Sequence, residues 1–201
     1  MKMFLQIGVI CPLIFLFSCG NNSSQTEAQE GQKYLQIGDS ISMSAQTALL
    51  ENVSAAIKTY GIAGAVDFCN ERALPLTDSF LGNPVKTIQR LSDRNRNPVN
   101  AIQSSEDSAA WQELKILMQD SSAKKQLIVR QDNGDVLYYK AITIVMPTCL
   151  SCHGSKDSDI SSKIWQAIAD KHPLDKATDY QMGELRGMWK ILLNKNLNDL
   201  K

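Results

Sequence analysis

Residues 147–154 read Pro-Thr-Cys-Leu-Ser-Cys-His-Gly, and no other stretch restricts the chain as much. Two cysteines two residues apart, with a histidine directly after the second, require a compact and fixed backbone whatever they bind. A thiol–disulfide pair of this spacing belongs to a thioredoxin-like unit and opens a helix near the start of a βαβ fold. Fewer than fifty residues follow it here, too few for the rest of that fold. Zinc needs four ligands, and beyond the motif and the N-terminal leader only Cys69, His172 and carboxylates are on offer. Covalent haem needs what is present. The thiols of Cys149 and Cys152 add to the two vinyl groups at one side of the macrocycle, and His153 sits under the iron as proximal ligand. One covalent haem c is the expected cofactor.

The leader agrees with that chemistry, because haem is attached in this way outside the cytoplasm. Lys2 precedes a nearly unbroken apolar run from Met3 to Phe17, too short for a comfortable membrane span and the right size for a signal-peptide core. The run ends in Leu16-Phe17-Ser18-Cys19-Gly20, which resembles a bacterial lipobox with Cys19 as the lipidated first residue of the mature chain. Residues 1–18 are therefore expected to be a lipoprotein signal peptide, 19–33 a flexible polar tether and 34–201 the haem domain. Several acyl chains, at about 0.8 kcal/mol per buried CH₂, would anchor it permanently to a membrane. Gly20 after Cys19 leans the location toward the outer rather than the inner membrane, facing the periplasm. Lys+Arg and Asp+Glu both number 21, so no electrostatic field attracts nucleic acid.

Along the domain, apolar or small residues at Ile41, Ala45, Ala48, Leu49, Val53, Ala56, Ile57 and Tyr60 have helical spacing. Gly61 and Gly64 are expected to interrupt it. A second helix then carries Ile62, Val66, Cys69 and Ala73 on one face and ends at Pro75. Val85–Ser92 reads as a strand, and Arg94–Ala101 as a loop marked by Asn-Pro. Ser104 and Asp107 stand at capping spacing ahead of a helix with Trp111, Leu114 and Met118 as its buried stripe. Asp132-Asn133-Gly134 joins two apolar strands as a hairpin. Residues 160–170 suggest a short helix, and Gly183–Leu193 a last strand. The order predicts an α+β fold with an antiparallel sheet.

The ligand opposite His153 has several candidates on the residues alone: His172, Met182 and Met188 after the motif, and Cys69, Met43, Met118 and Met146 before it. Methionines more often fill cores. Cys69 is the odd thiol of an oxidising compartment, on the inward face of its helix.

Four segments together resemble a bacterial extracytoplasmic c-type haem family with a PAS-like fold, long known as a domain of unknown function and related to the sensing part of some membrane receptors. They are AVDFCNERA around Cys69, IQRLSDRNRNPVNA, MPTCLSCHG, and HPLDKATDYQMGELRGMWKI from His172. The resemblance spans nearly the whole mature chain in order. It implies a PAS-like antiparallel sheet flanked by helices, with a long N-terminal helix. It also implies Cys69 as second axial ligand through its thiolate. His172 departs from the pattern, at a place where the family has a tyrosine, and a histidine there competes for iron.

Among Arg90, Arg94 and Arg96, an arginine fork suits the haem propionates, and Arg94 and Arg96 are the candidates. A thiolate opposite a histidine favours ferric iron and lowers the potential. A six-coordinate iron has no open position, and with two histidines no Ser-His-Asp or Cys-His set assembles, so the chain is not expected to be an enzyme. The expected function is a lipid-anchored single-haem cytochrome that senses redox state or a small gas, or carries single electrons to a redox partner. The alternative is a peroxidase-like haem enzyme with an open distal site.

Overall fold

The computed structural model describes residues 22–197. The signal peptide expected over 1–18, and Cys19 with its lipid, lie outside them. Helix α1 (Asn22–Asp78) is followed by β1 (Val85–Leu91), α2 (Ser105–Gln119), β2 (Gln126–Arg130), β3 (Val136–Thr143), α3 (Pro147–His153), α4 (Ser162–Lys171) and β4 (Leu185–Leu193). The strands form one antiparallel sheet in the order β1-β4-β3-β2. This is the expected α+β class with an antiparallel sheet flanked by helices. Among the described residues no helix is long and apolar enough to cross a membrane.

Side-chain alternation along the central strands divides the core in two. Val136 and Tyr138 of β3, with Trp189, Ile191 and Leu193 of β4, pack under Tyr34, Ala45 and Leu49 of α1. Leu137, Tyr139 and Met188 point the other way, against Ala110, Trp111 and Leu114 of α2. Both central strands are thus covered on both faces, which is why they read as nearly continuous apolar runs. Helix α1 comes very close to the sheet at Gly38, where a Cβ would lie 2.3 Å from the Tyr138 ring; only glycine fits there.

The sheet continues past its last regular pair through a β-bulge. Register on β3 and β4 passes from Ile142 opposite Gly187 to Thr143 opposite Leu185, so Arg186 is the extra residue. A bulge of this kind turns a side chain out of the regular alternation.

Three local expectations are corrected. The polar stretch placed in a flexible tether is helical from Asn22. It contains good helix formers and no proline, and it docks on β2 through a Glu30–Arg130 ion pair at 3.0 Å. Of the two glycines expected to interrupt the long helix, only Gly61 does so, with φ 72° and ψ 172°; Gly64 stays helical. Pro75 does not end the second segment, which runs on to Asp78. Proline removes one N–H near the end of a helix, and the last turn is held by Thr77 Oγ1 donating to Ala73 O at 2.7 Å and Ser79 N to Pro75 O at 3.0 Å. The Asn133-Gly134 turn, the Ser104 cap and the remaining strands lie where expected.

The sheet and α2 are joined by one polar network in the core. Asp107 accepts from Tyr139 Oη at 2.8 Å and pairs with Lys190 at 2.7 Å. Burial alone would raise the Asp107 carboxyl, but hydrogen bonds from Lys190, Ser104 and Tyr139 outweigh it and hold the group below the usual carboxylate range. A depressed folded pKa contributes stability that is complete above the unfolded value of about 4 and is lost as pH falls through the folded one. Replacing one partner of a buried pair costs about 3–5 kcal/mol. Asp107→Asn should lower the unfolding free energy from urea titration at pH 7 by a matching amount, and the variant should lose less stability between pH 5 and pH 3 than the parent; equal acid limbs would contradict this.

Candidate functional site: the CxxCH helix and its buried cations

The kink at Gly61 starts a second segment of α1 that packs on α4. Ile62, Ala63 and Val66 meet Ile160, Ile164, Ile168 and Trp165 there, and Cys152 joins the same cluster. Cys149, on the other side of α3, packs with Leu150 against Ile144, Ala177 and Tyr180. The short helix α3 therefore bridges two small apolar clusters, and both motif thiols are free and half-buried. Pro147 lies in its first turn, where a missing N–H is harmless.

The C-terminal end of α3 exposes carbonyls that need donors, and the segment from Asp175 to Tyr180 supplies them. Tyr180 N donates to His153 O at 2.9 Å and Asp179 N to Gly154 O at 2.8 Å. Arg96 Nη2 donates to Cys152 O at 2.6 Å. The imidazole of His153 is fixed by the same segment, its Nδ1 lying 2.9 Å from Ala177 O. A carbonyl only accepts, so Nδ1 carries the proton and Nε2 keeps its lone pair. Burial, reinforced by Arg186 and Arg96, pushes the imidazolium pKa well below the ordinary value. At neutral pH His153 is a neutral, oriented nitrogen donor.

The carbonyl of Ala177 is itself held in place. Asp175 Oδ1 accepts from Ala177 N at 2.9 Å and from Arg96 Nε at 3.2 Å, and Asp175 Oδ2 pairs with Arg96 Nη2 at 3.1 Å. Asp175 is almost fully buried, so this pair is shielded from water and salt.

The structure brings the predicted residues together unequally. Cys69, half-buried on the second segment of α1, faces this region. Burial raises its thiol pKa, the neighbouring Cys152 raises it further, and Arg90 and Arg96 pull it down. Its thiol has no hydrogen-bond partner among the described residues. His172, read from sequence as an exposed loop residue or a competing ligand, is buried at the end of α4, where burial and then Arg96 lower its pKa. Met188 fills the core, while Met43 and Met182 are exposed.

Arg94 and Arg96 were the arginines singled out, and both are already engaged. Arg94 pairs with Glu184, donates to Thr178 O at 3.2 Å and lies 3.6 Å over the Tyr180 ring; Arg96 is committed to Asp175 and Cys152. Arg186 was missed. The available signal was a charged residue beside a glycine inside an apolar strand, Leu185-Arg186-Gly187-Met188. Arg90 on β1 and Arg186 at the bulge each bury an Nε that makes no hydrogen bond.

A four-stranded α+β domain with an oriented CxxCH imidazole, two motif thiols and a nearby third thiol is the class that fold and site define. The family model of the Tll0287-like family, described as Tll0287, matches residues 22–194, and the chain belongs to that family. Among solved structures, the crystal structure of the cyanobacterial heme-protein Tll0287 matches at 20% identity and a TM-score of 0.49, over 75% of this chain and 92% of that chain. No curated protein matches.

The Arg96–Asp175 pair should govern how firmly α3 is held. Arg96→Ala is expected to cost about 3–5 kcal/mol in urea unfolding and to speed hydrogen exchange at the Tyr180 amide. A variant with unchanged exchange there would show that the pair does not brace the motif.

Proposed function

We propose that the chain is a single-haem c-type cytochrome, in which Cys149 and Cys152 form the thioether links and His153 Nε2 binds iron. The observation that carries this reading is the hydrogen bond from His153 Nδ1 to Ala177 O, which leaves the other nitrogen free and aimed by the backbone. The donor set fits the group: two half-buried thiols spaced by two residues, one neutral imidazole, and two guanidiniums with unpartnered Nε atoms that favour a ligand carrying negative charge. Membership of a family whose namesake is described as a heme-protein supports the same reading.

Bound haem supplies a one-electron ferric–ferrous couple. The protein residues divide the remaining work. Ala177, braced by Asp175 and Arg96, holds His153 in one orientation, while burial together with Arg186 and Arg96 keeps it neutral. Cys69 would be the second protein ligand, because it is a free, half-buried thiol whose pKa is raised by burial and by Cys152 and drawn down by Arg90 and Arg96. The two donors are held very differently: His153 through a buried hydrogen-bonded chain, Cys69 on a helix segment that begins at a glycine kink. An asymmetric pair with one releasable member suits sensing of redox state or a small gas, and an intact pair suits one-electron transfer to a redox partner. We place the protein at the periplasmic side of the envelope, anchored through lipid on Cys19, the outer membrane being the better fit.

Protein matured with the haem-attachment machinery should carry one haem that stays bound after denaturation, seen as an intact-mass increase and a haem-stained band. Cys149→Ala with Cys152→Ala should abolish it, and Cys69→Ala should not. Failure of the parent chain to acquire covalent haem would overturn the proposal. Carbon monoxide bound by the reduced protein would support sensing, whereas a reduced spectrum indifferent to it would leave the electron-carrier role.

A further inference from the structure

Four arginines surround the motif, and they differ in one respect. Arg94 has Glu184 and Arg96 has Asp175. Arg90 and Arg186 form no salt bridge among the described residues, and the Nε of each is buried without a partner. Arg90 Nη2 reaches only Ala73 O, at 3.5 Å. Arg186 Nη1 reaches Ser92 Oγ at 3.2 Å and Arg94 O at 3.3 Å, and its guanidinium lies 5.2 Å over the Tyr180 ring; none of these partners is a carboxylate. The nearby carboxylate that Arg186 feels, Asp175, is already paired with Arg96. Burial pulls both guanidinium pKa values down and each of these cations feels another arginine, so the arrangement costs free energy as it stands. Buried charges are ordinarily paired, and a guanidinium edge matches a carboxylate.

Backbone placement separates this pair from the others. Arg90 projects from β1 and Arg186 from the adjacent strand β4, at the one position where the β3–β4 register slips. The bulge takes Arg186 out of strict alternation. Arg186 lies over the ring of Tyr180, which stacks edge-on against His153, so the bulge opens toward the proposed iron ligand.

Resting on the haem reading above, we infer that Arg90 and Arg186 form a carboxylate clamp that binds the two propionates of the macrocycle, while Arg94 and Arg96 hold the protein's own loops together. The clamp sets which way round the ring lies, and its two charges neutralise two carboxylates that would otherwise resist burial.

The test uses the full chain produced without haem attachment, its thiols kept reduced, titrated with iron protoporphyrin and with its dimethyl ester. The parent should bind the free acid about a hundredfold more tightly than the ester, the scale of two charge-assisted hydrogen bonds. Arg90→Gln and Arg186→Gln should each cut that preference about tenfold, and the double variant should nearly remove it. Arg94→Gln should leave the preference intact. A parent that binds acid and ester equally would overturn the clamp without any variant having to fold. So would a double variant, folded by circular dichroism, that keeps the full preference. A parent that binds neither porphyrin would overturn the clamp, while the haem reading stands or falls separately on covalent attachment.

Discussion

The buried chain from Arg96 through Asp175 and Ala177 to His153 is the interaction on which the site depends. A histidine at the end of a helix of seven residues has little to hold it, since so short a helix is not stable alone. Its orientation is set from a segment more than twenty residues further along the chain. Asp175 uses one carboxylate to bind both a guanidinium and a backbone amide, and the next carbonyl on that strand of chain fixes the ring tautomer. Because Asp175 is almost fully buried, its removal would leave Arg96 unpaired inside the protein, so the brace and the fold around it fail together.

The sheet contributes in a different way. Its two central strands are covered on both faces, by the first half of α1 and by α2, so it forms a rigid wall. At the end nearest the motif the wall stops being regular. There β1 and β4 carry the buried cations Arg90 and Arg186, and the kinked second half of α1 packs on α4 beside the motif. Rigid packing, buried positive charge and half-buried thiols meet at this end.

Much of this was legible in the sequence where local chemistry decides the outcome. Asn133-Gly134 dictates a hairpin and Ser104 caps the helix that follows it, whereas the helical form of the CxxCH segment is a finding of the structure. The misreadings share a cause. Residues 22–33 are polar enough for a tether, yet they are ordered by contacts with β2, about one hundred residues away in sequence. Pro75 is tolerated because its helix is already near its end. The partner of His153 is a backbone carbonyl, which any residue possesses, so no residue type at position 177 announces it. The carboxylates that pair with Arg94 and Arg96, Glu184 and Asp175, lie about eighty to ninety residues away and could not be read from the loop itself.

The central proposal is that His153 and the Cys69 thiolate would both hold the iron, and a low-temperature electron paramagnetic resonance spectrum of the ferric, covalently loaded protein tests it directly. The account predicts a low-spin signal with the narrow g-spread of thiolate ligation, replaced by a different signal in Cys69→Ala. A wide-spread signal of nitrogen or thioether ligation, or a high-spin signal from an open position, would contradict it.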